Sequence, residues 1–233
     1  MPIWVFLSFM FAQVVVAAVI VALGYVNVPI RSISDTVFNS IANSLVYGLA
    51  IATALGVPYL IKRYKTSLQD LGLQRVVSWS DILLVAPGAI VYIILTAALA
   101  ALAAALLTFV DYNQVQDTGF ANLSGYLEFA LAFISLVVVA PVAEEVLFRG
   151  YLFGKMRQYA PLWVAVLLTS LLFAVVHFQW NVGIDVFALS LVLCILRVVS
   201  GSLWPSIMLH MLKNGVAFYF LFINPIALST IGG

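Results

Sequence analysis

Apolar residues run in long blocks along this chain, separated by short clusters of polar and charged positions. Met1 to Ile30, Thr36 to Ile61 and Ile82 to Val110 contain no charged side chain, and each exceeds the roughly 18 apolar residues that mark a bilayer-crossing helix. Reading the charge-poor blocks as helices predicts spans near residues 2–26, 37–61, 82–110, 126–157, 161–180, 184–199 and 204–225. The expected fold is all-α, a polytopic transmembrane helical bundle of about seven spans (six to eight), with a polar site between the later helices. The first block lacks a basic n-region and stays apolar beyond the length of a secretory h-region, so it reads as a retained membrane helix.

Composition strengthens this picture. Of 233 residues, 65% are hydrophobic and 8% charged, against about a quarter charged in an average soluble domain, and the mean hydropathy is +1.17. An ordinary soluble globular protein is excluded, and the lipid bilayer is the expected surrounding. Ten scattered basic residues and a net charge of +1 cannot supply the clustered basic surface that phosphates require, so no nucleic-acid partner is expected. The lone Cys194 can form no internal disulfide and reads as a buried, inert thiol. No repeat, low-complexity tract or long linker divides the chain. Residues 1–233 are expected to form one membrane domain, with its oligomeric state left open.

Lys62, Arg63, Lys65 and Arg75 share one connection, and Arg149, Lys155 and Arg157 cluster near another, whereas the segment with Asp111 and Asp117 has no basic residue. The positive-inside rule places the basic connections in the cytoplasm. An odd span number then puts the N-terminus inside and the C-terminus outside, with Arg31 on the wrong side. The expected location is an inner (plasma) membrane, with the site opening to the cytoplasm. Residues 62–81 alternate charged and apolar positions, which fits either a short interfacial helix or a solvated loop that sets topology.

Ionisable groups inside apolar spans cost about 2.5–3.5 kcal/mol each, so each raises a functional question. Glu144 and Glu145 follow an aliphatic run, and Arg149 stands one turn beyond Glu145. Glu145 and Arg149 have the i, i+4 order of a favourable ion pair, which leaves Glu144 for an independent task. Phe173 and His177 share one helix face, as do His210 and Asn214. Taken singly, each is also explained as a polar contact joining helices. Gly150 and Gly154 read as a close helix contact on the same small-residue rule. Glu144 lies about 16 residues before a turn at Tyr159–Pro161 and His177 about 17 after it, so both fall roughly 25 Å from that turn. His210 matches this depth if the charged hairpin projects from the membrane by about one and a half nanometres.

A carboxylate, two imidazoles and an amide are the parts needed to split an amide bond with water. Glu144 could take the water proton with help from His177, while His210 and Asn214 donate hydrogen bonds to the oxyanion. The same atoms allow another scheme, with Glu144, His177 and His210 binding Zn and a water in the open position. The chain has no H-E-x-x-H pair, no G-x-S-x-G elbow and no phosphate loop.

EEVLFR at Glu144 to Arg149, FAVVH at Phe173 to His177 and HMLKN at His210 to Asn214 resemble, in order, the E-E-x-x-x-R, F-x-x-x-H and H-x-x-x-N motifs of the CPBP intramembrane proteases. That family groups CAAX prenyl-protein proteases with bacteriocin-processing and Abi-type proteins. SLQDLGL at Ser67 to Leu73 is similar to the family's D-L-G-L segment, and the motif-bearing core spans residues 126–220. The resemblance implies a membrane hydrolase acting on membrane-associated or prenylated protein substrates. It makes Glu144 the general base with His177 assisting, and His210 and Asn214 the oxyanion or metal pair. Glu145, Arg149 and Phe173 become supporting residues. Two other classes compete: a non-catalytic scaffold or immunity protein of the same fold, and a proton-coupled transporter using Glu144, His177 and Asp185. Lys213, inside the third motif, has no evident role in any of them.

Overall fold

The computed structural model describes residues 2–26, 33–108, 110, 118–120, 123–177 and 179–225. Arg31, Asp111 and Asp117, which entered the orientation argument, lie outside them. Eight helices and no strand occur among the described residues. They are α1 (Pro2–Tyr25), α2 (Asp35–Lys62), α3 (Leu68–Leu71), α4 (Trp79–Leu106), α5 (Gly125–Met156), α6 (Leu162–Val175), α7 (Trp180–Ser200) and α8 (Trp204–Ile223). Among these, six are long and apolar enough to cross a membrane, and the exception among the predicted spans is α6. The all-α polytopic bundle is therefore the fold.

The predicted span 161–180 is a 14-residue helix, about 21 Å long against a hydrocarbon core of roughly 30 Å. Its end has a local cause. In a continuing helix the His177 backbone N–H would bond to the Phe173 carbonyl; instead it bonds to Ala174 at 3.2 Å, and the His177 imidazole Nδ1 takes the Phe173 carbonyl at 2.7 Å. The side chain thus occupies the acceptor that the next turn would need, and α7 starts after a short connection.

The helix α5 is 32 residues long, about 48 Å at an α-helical rise, which leaves room for its charged end to project from the bilayer. It holds two π segments, Ile134–Val139 and Val146–Leu152. The helices α1 and α2 approach closely along fully buried Ala12, Ala50 and Ala54, as small residues allow, and the Trp4 indole donates to the Ala54 carbonyl at 3.1 Å.

Of the short helix and the free loop expected within residues 62–81, the structure holds a short helix. A capping box of Ser67 and Asp70 starts a single turn, α3. Gly72 then reverses the chain at φ +80°, where an added Cβ would lie 2.5 Å from the Arg197 guanidinium carbon. Its carbonyl accepts from Leu203 N–H at 2.8 Å, and the Trp204 indole donates to the Arg75 carbonyl at 2.8 Å. The short α3 also explains Gly150 and Gly154. Their close contacts are the Leu71 and Asp70 backbone carbonyls, at 3.3 and 3.4 Å from the positions a Cβ would take. The Lys155 ammonium caps the Tyr64 ring at 3.9 Å, so both basic connections lie at one end of the bundle.

Candidate functional site

The three sequence motifs meet where α5, α6 and α8 converge. Phe173 is fully buried at the centre. The Arg149 guanidinium lies 4.0 Å over its ring, and the imidazoles of His177 and His210 pack edge-on at 5.0 and 5.8 Å. Phe148 closes the stack at 4.9 Å. Phe173 thereby sets the positions of three polar groups with no polar atom of its own in its side chain.

Glu145 and Arg149 form the expected i, i+4 ion pair at 2.9 Å, with both side chains fully buried. The same Glu145 oxygen, Oε1, also lies 2.9 Å from His210 Nδ1. A carboxylate oxygen only accepts, so His210 carries a hydrogen on Nδ1 and presents Nε2 to the opposite side. There Nε2 stands 3.7 Å from Glu144 Oε2. His177 is oriented by the same logic. The Phe173 carbonyl fixes its Nδ1–H and leaves Nε2 as the unbonded ring nitrogen, within electrostatic reach of Glu144, His210 and Lys213. Adjacent in sequence, the two glutamates have separate surroundings: Glu145 is sealed against Arg149 and His210, and Glu144 keeps 14% of its side-chain surface accessible.

Asn214 is placed by a different part of α5. In the first π segment the Ala140 N–H reaches back five residues to the Ser135 carbonyl. The next donor in that register is residue 141, a proline with no N–H, so the Leu136 carbonyl is left without it. Asn214 Nδ2 fills the gap at 2.9 Å, tying α8 to α5 and leaving its second amide hydrogen for other use.

Two contacts had no counterpart in the motif reading. The Tyr47 hydroxyl of α2 donates to Glu144 Oε1 at 2.5 Å; the only hint in the sequence was a tyrosine in mid-span, whose hydroxyl needs an acceptor when buried. Lys213 pairs with Asp185 at 3.2 Å, and Asp185 also accepts from the hydroxyls of Tyr92 at 2.5 Å and Thr96 at 3.3 Å. These side chains tie α4, α7 and α8 together. Cys194 is fully buried, as its surroundings predict.

Zinc needs three or four donors converging on one point. Among the described residues no three His, Cys, Asp or Glu side chains form such a group. Tyr47, the Phe173 carbonyl and Glu145 engage Glu144 Oε1 and the two imidazole Nδ1 atoms, so Glu144 Oε2 and the Nε2 atoms of His177 and His210 are what the expected set would offer a metal, and no step below passes through one.

An apolar groove of about 570 Å³ opens between α4, α6 and α7, lined by residues that include Leu102, Leu171, Val175, Gly183 and Phe187. Val175 and Gln179 bring its wall to the turn that carries His177.

Comparison with known proteins falls on the same helices. Residues 126–216 match the family model "Type II CAAX prenyl endopeptidase Rce1-like". The chain is similar to the "Uncharacterized 24.3 kDa protein" of Escherichia coli, 34% identical over 86 residues, which is 35% of this chain and 40% of the relative. It is also similar to the UPF0177 protein YxdF of Lactococcus lactis subsp. lactis (strain IL1403), 37% identical over 70 residues, 29% of this chain and 38% of the relative. A third relative is the membrane-embedded CAAX protease MroQ of Staphylococcus aureus (strain USA300), 28% identical over 97 residues, 39% of each chain. The matched stretches span about two fifths of the length of these relatives. No solved structure matches the chain. With all three motifs gathered on α5, α6 and α8 inside the matched stretch, residues 126–216 of this membrane chain are similar to the CAAX-type intramembrane proteases of the CPBP family.

Proposed function

We propose that this protein is an intramembrane endopeptidase that hydrolyses peptide bonds of membrane-associated or prenylated protein substrates, with Glu144 as general base. The observation that carries the reading is the position of Glu144. It is an accessible carboxylate with Oε2 turned toward His210 Nε2 at 3.7 Å, beside His177, in a site whose far side is closed by the Glu145–Arg149 pair. In this mechanism Glu144 Oε2 takes a proton from water, whose oxygen bonds to the substrate carbonyl carbon. His177 Nε2, a lone-pair nitrogen, orients that water by accepting its second hydrogen. His210 turns Nε2 and Asn214 its free amide hydrogen toward the oxyanion; each hydrogen-bond donor there contributes about 3–4 kcal/mol. The C–N bond then breaks, and the proton held by Glu144 passes to the leaving amine.

The apolar groove between α4, α6 and α7 suits a lipidated or membrane-spanning segment rather than a soluble peptide. The common end shared by Lys62, Arg63, Lys65, Lys155 and Arg157 supports a cytoplasmic position for that end in the inner membrane.

The test is mass spectrometry of new protein termini in cells carrying wild type or Glu144→Ala at matched expression. Termini that depend on Glu144 establish proteolysis and reveal the substrate class. Identical termini from two folded, equally expressed proteins overturn the enzyme in favour of a scaffold. Turnover abolished by a chelator and restored by zinc overturns the metal-free mechanism.

A further inference from the structure

We infer that Tyr47 is the positioning residue of Glu144: its hydroxyl holds Oε1 and leaves Oε2 as the oxygen that receives the proton. The inference rests on the general-base reading of Glu144 and extends the site to a helix outside the stretch 126–216.

The two oxygens of the Glu144 carboxylate have different partners. Oε1 accepts from Tyr47 at 2.5 Å, and Oε2 faces His210 Nε2 at 3.7 Å, beyond direct hydrogen-bond reach. A glutamate has three side-chain torsions, and in an apolar span an unheld carboxylate could swing among several rotamers or turn toward Arg149. The Tyr47 bond removes that freedom at one oxygen. A phenol suits the task because it donates one hydrogen and, with its ordinary pKa near 10, stays protonated while a carboxylate works. It therefore directs the proton traffic without taking part in it: the water proton goes to Oε2 and returns from there to the leaving amine, while Tyr47 keeps its own.

Tyr47 is itself held. Its ring packs on Phe9 of α1 at 5.9 Å between centroids, tilted by 50°, and α1 is fastened to α2 through the Trp4 indole and the Ala54 carbonyl. The path from Trp4 and Phe9 through Tyr47 to Glu144 makes the first two helices part of the site rather than an anchor beside it. A purely structural role for the same bond, in which a buried hydroxyl and a carboxylate satisfy one another, predicts a loss of stability on its removal and no change in turnover per folded molecule.

The experiment uses the full chain in lipid nanodiscs and a quenched fluorescent peptide copied from a cleavage site mapped in cells. Tyr47→Phe keeps the ring on Phe9 and deletes only the hydroxyl. Its kcat is expected to fall about 10- to 100-fold, the loss that an ångström of misplacement can cause, with KM and the melting temperature unchanged. Replacement of Tyr47 by 3-fluorotyrosine, which keeps the hydroxyl and the packing, is expected to restore kcat to within about twofold of wild type, since positioning is retained. Glu144→Gln, measured alongside, is expected to be inactive. Wild-type kcat for folded Tyr47→Phe, with or without a lowered melting temperature, overturns the positioning role while the inactive Glu144→Gln leaves the general base intact. Activity in Glu144→Gln overturns the general base itself. Should Tyr47→Phe fail to fold, failure of the 3-fluorotyrosine protein to reach wild-type kcat overturns the inference instead.

Discussion

Two ionic clusters lie within the spanning helices, and they are built on opposite plans. Glu145, Arg149 and His210 are closed off from solvent, the first two completely. Asp185 and Lys213 keep 28% and 13% of their side-chain surface accessible and share their partners with two hydroxyls of α4. A sealed charge whose partner is removed cannot be rehydrated, and its full desolvation cost then falls on the fold. A partly open pair that still has two hydroxyl partners keeps part of its hydrogen bonding when broken. The molecule's stability should thus depend steeply on the first cluster and weakly on the second, although both are intramembrane ion pairs of similar length.

Substitutions in the two clusters, with one at the neutral Asn214 tie between them in size, probe that contrast in order of expected effect. Arg149→Met leaves buried Glu145 with His210 alone and should lower unfolding stability by about 3 kcal/mol, the low end for a broken buried pair, read as a denaturant midpoint in mild detergent; the double variant Glu145→Gln/Arg149→Met should recover much of the loss. An Arg149→Met midpoint no lower than that of Lys213→Met would remove the distinction between the clusters. Next comes Asn214→Ala, which leaves the Leu136 carbonyl unsatisfied at a cost of about 1–3 kcal/mol. Because the missing donor is a proline, adding Pro141→Ala supplies a backbone N–H, and the two effects should be strongly non-additive in a double-mutant cycle. Simple additivity would show that Asn214 does not substitute for that donor. Smallest is Tyr92→Phe in the open cluster, at about 0.6 kcal/mol, the average for hydrogen bonds between membrane helices. A loss as large as that of Arg149→Met would show that Asp185 depends on Tyr92 as Glu145 depends on Arg149.

The parts of this structure that were legible in the sequence are those set within one helix. Charge-free blocks mark the long helices, the i, i+4 spacing of Glu145 and Arg149 predicts their pair, and Phe173 and His177 share a face because four residues make about one turn. What was not legible depends on partners far along the chain. Tyr47 and Glu144 are 97 residues apart, and nothing local to either one names the other. Asp185 gives Lys213 its role only because α7 packs on α8. The stop of α6 at Val175 turns on whether a histidine side chain displaces its own backbone donor, a competition that hydropathy does not register. Residues 62–81 read ambiguously because their shape is fixed from outside, by Leu203 and Trp204.

The five-residue register at Ile134–Val139 also governs the angular phase of everything that follows it in α5. A π turn accommodates one residue more than an α turn, so Glu144 and Glu145 point at Tyr47 and His210 because that surplus residue precedes them. Removing one residue between positions 134 and 139 would let ordinary helical bonding resume and rotate the remainder by about 100°. The E-E-x-x-x-R face would then turn toward a different neighbour with every motif residue intact. For this helix, the number of residues upstream is as much a determinant of the site as their identity.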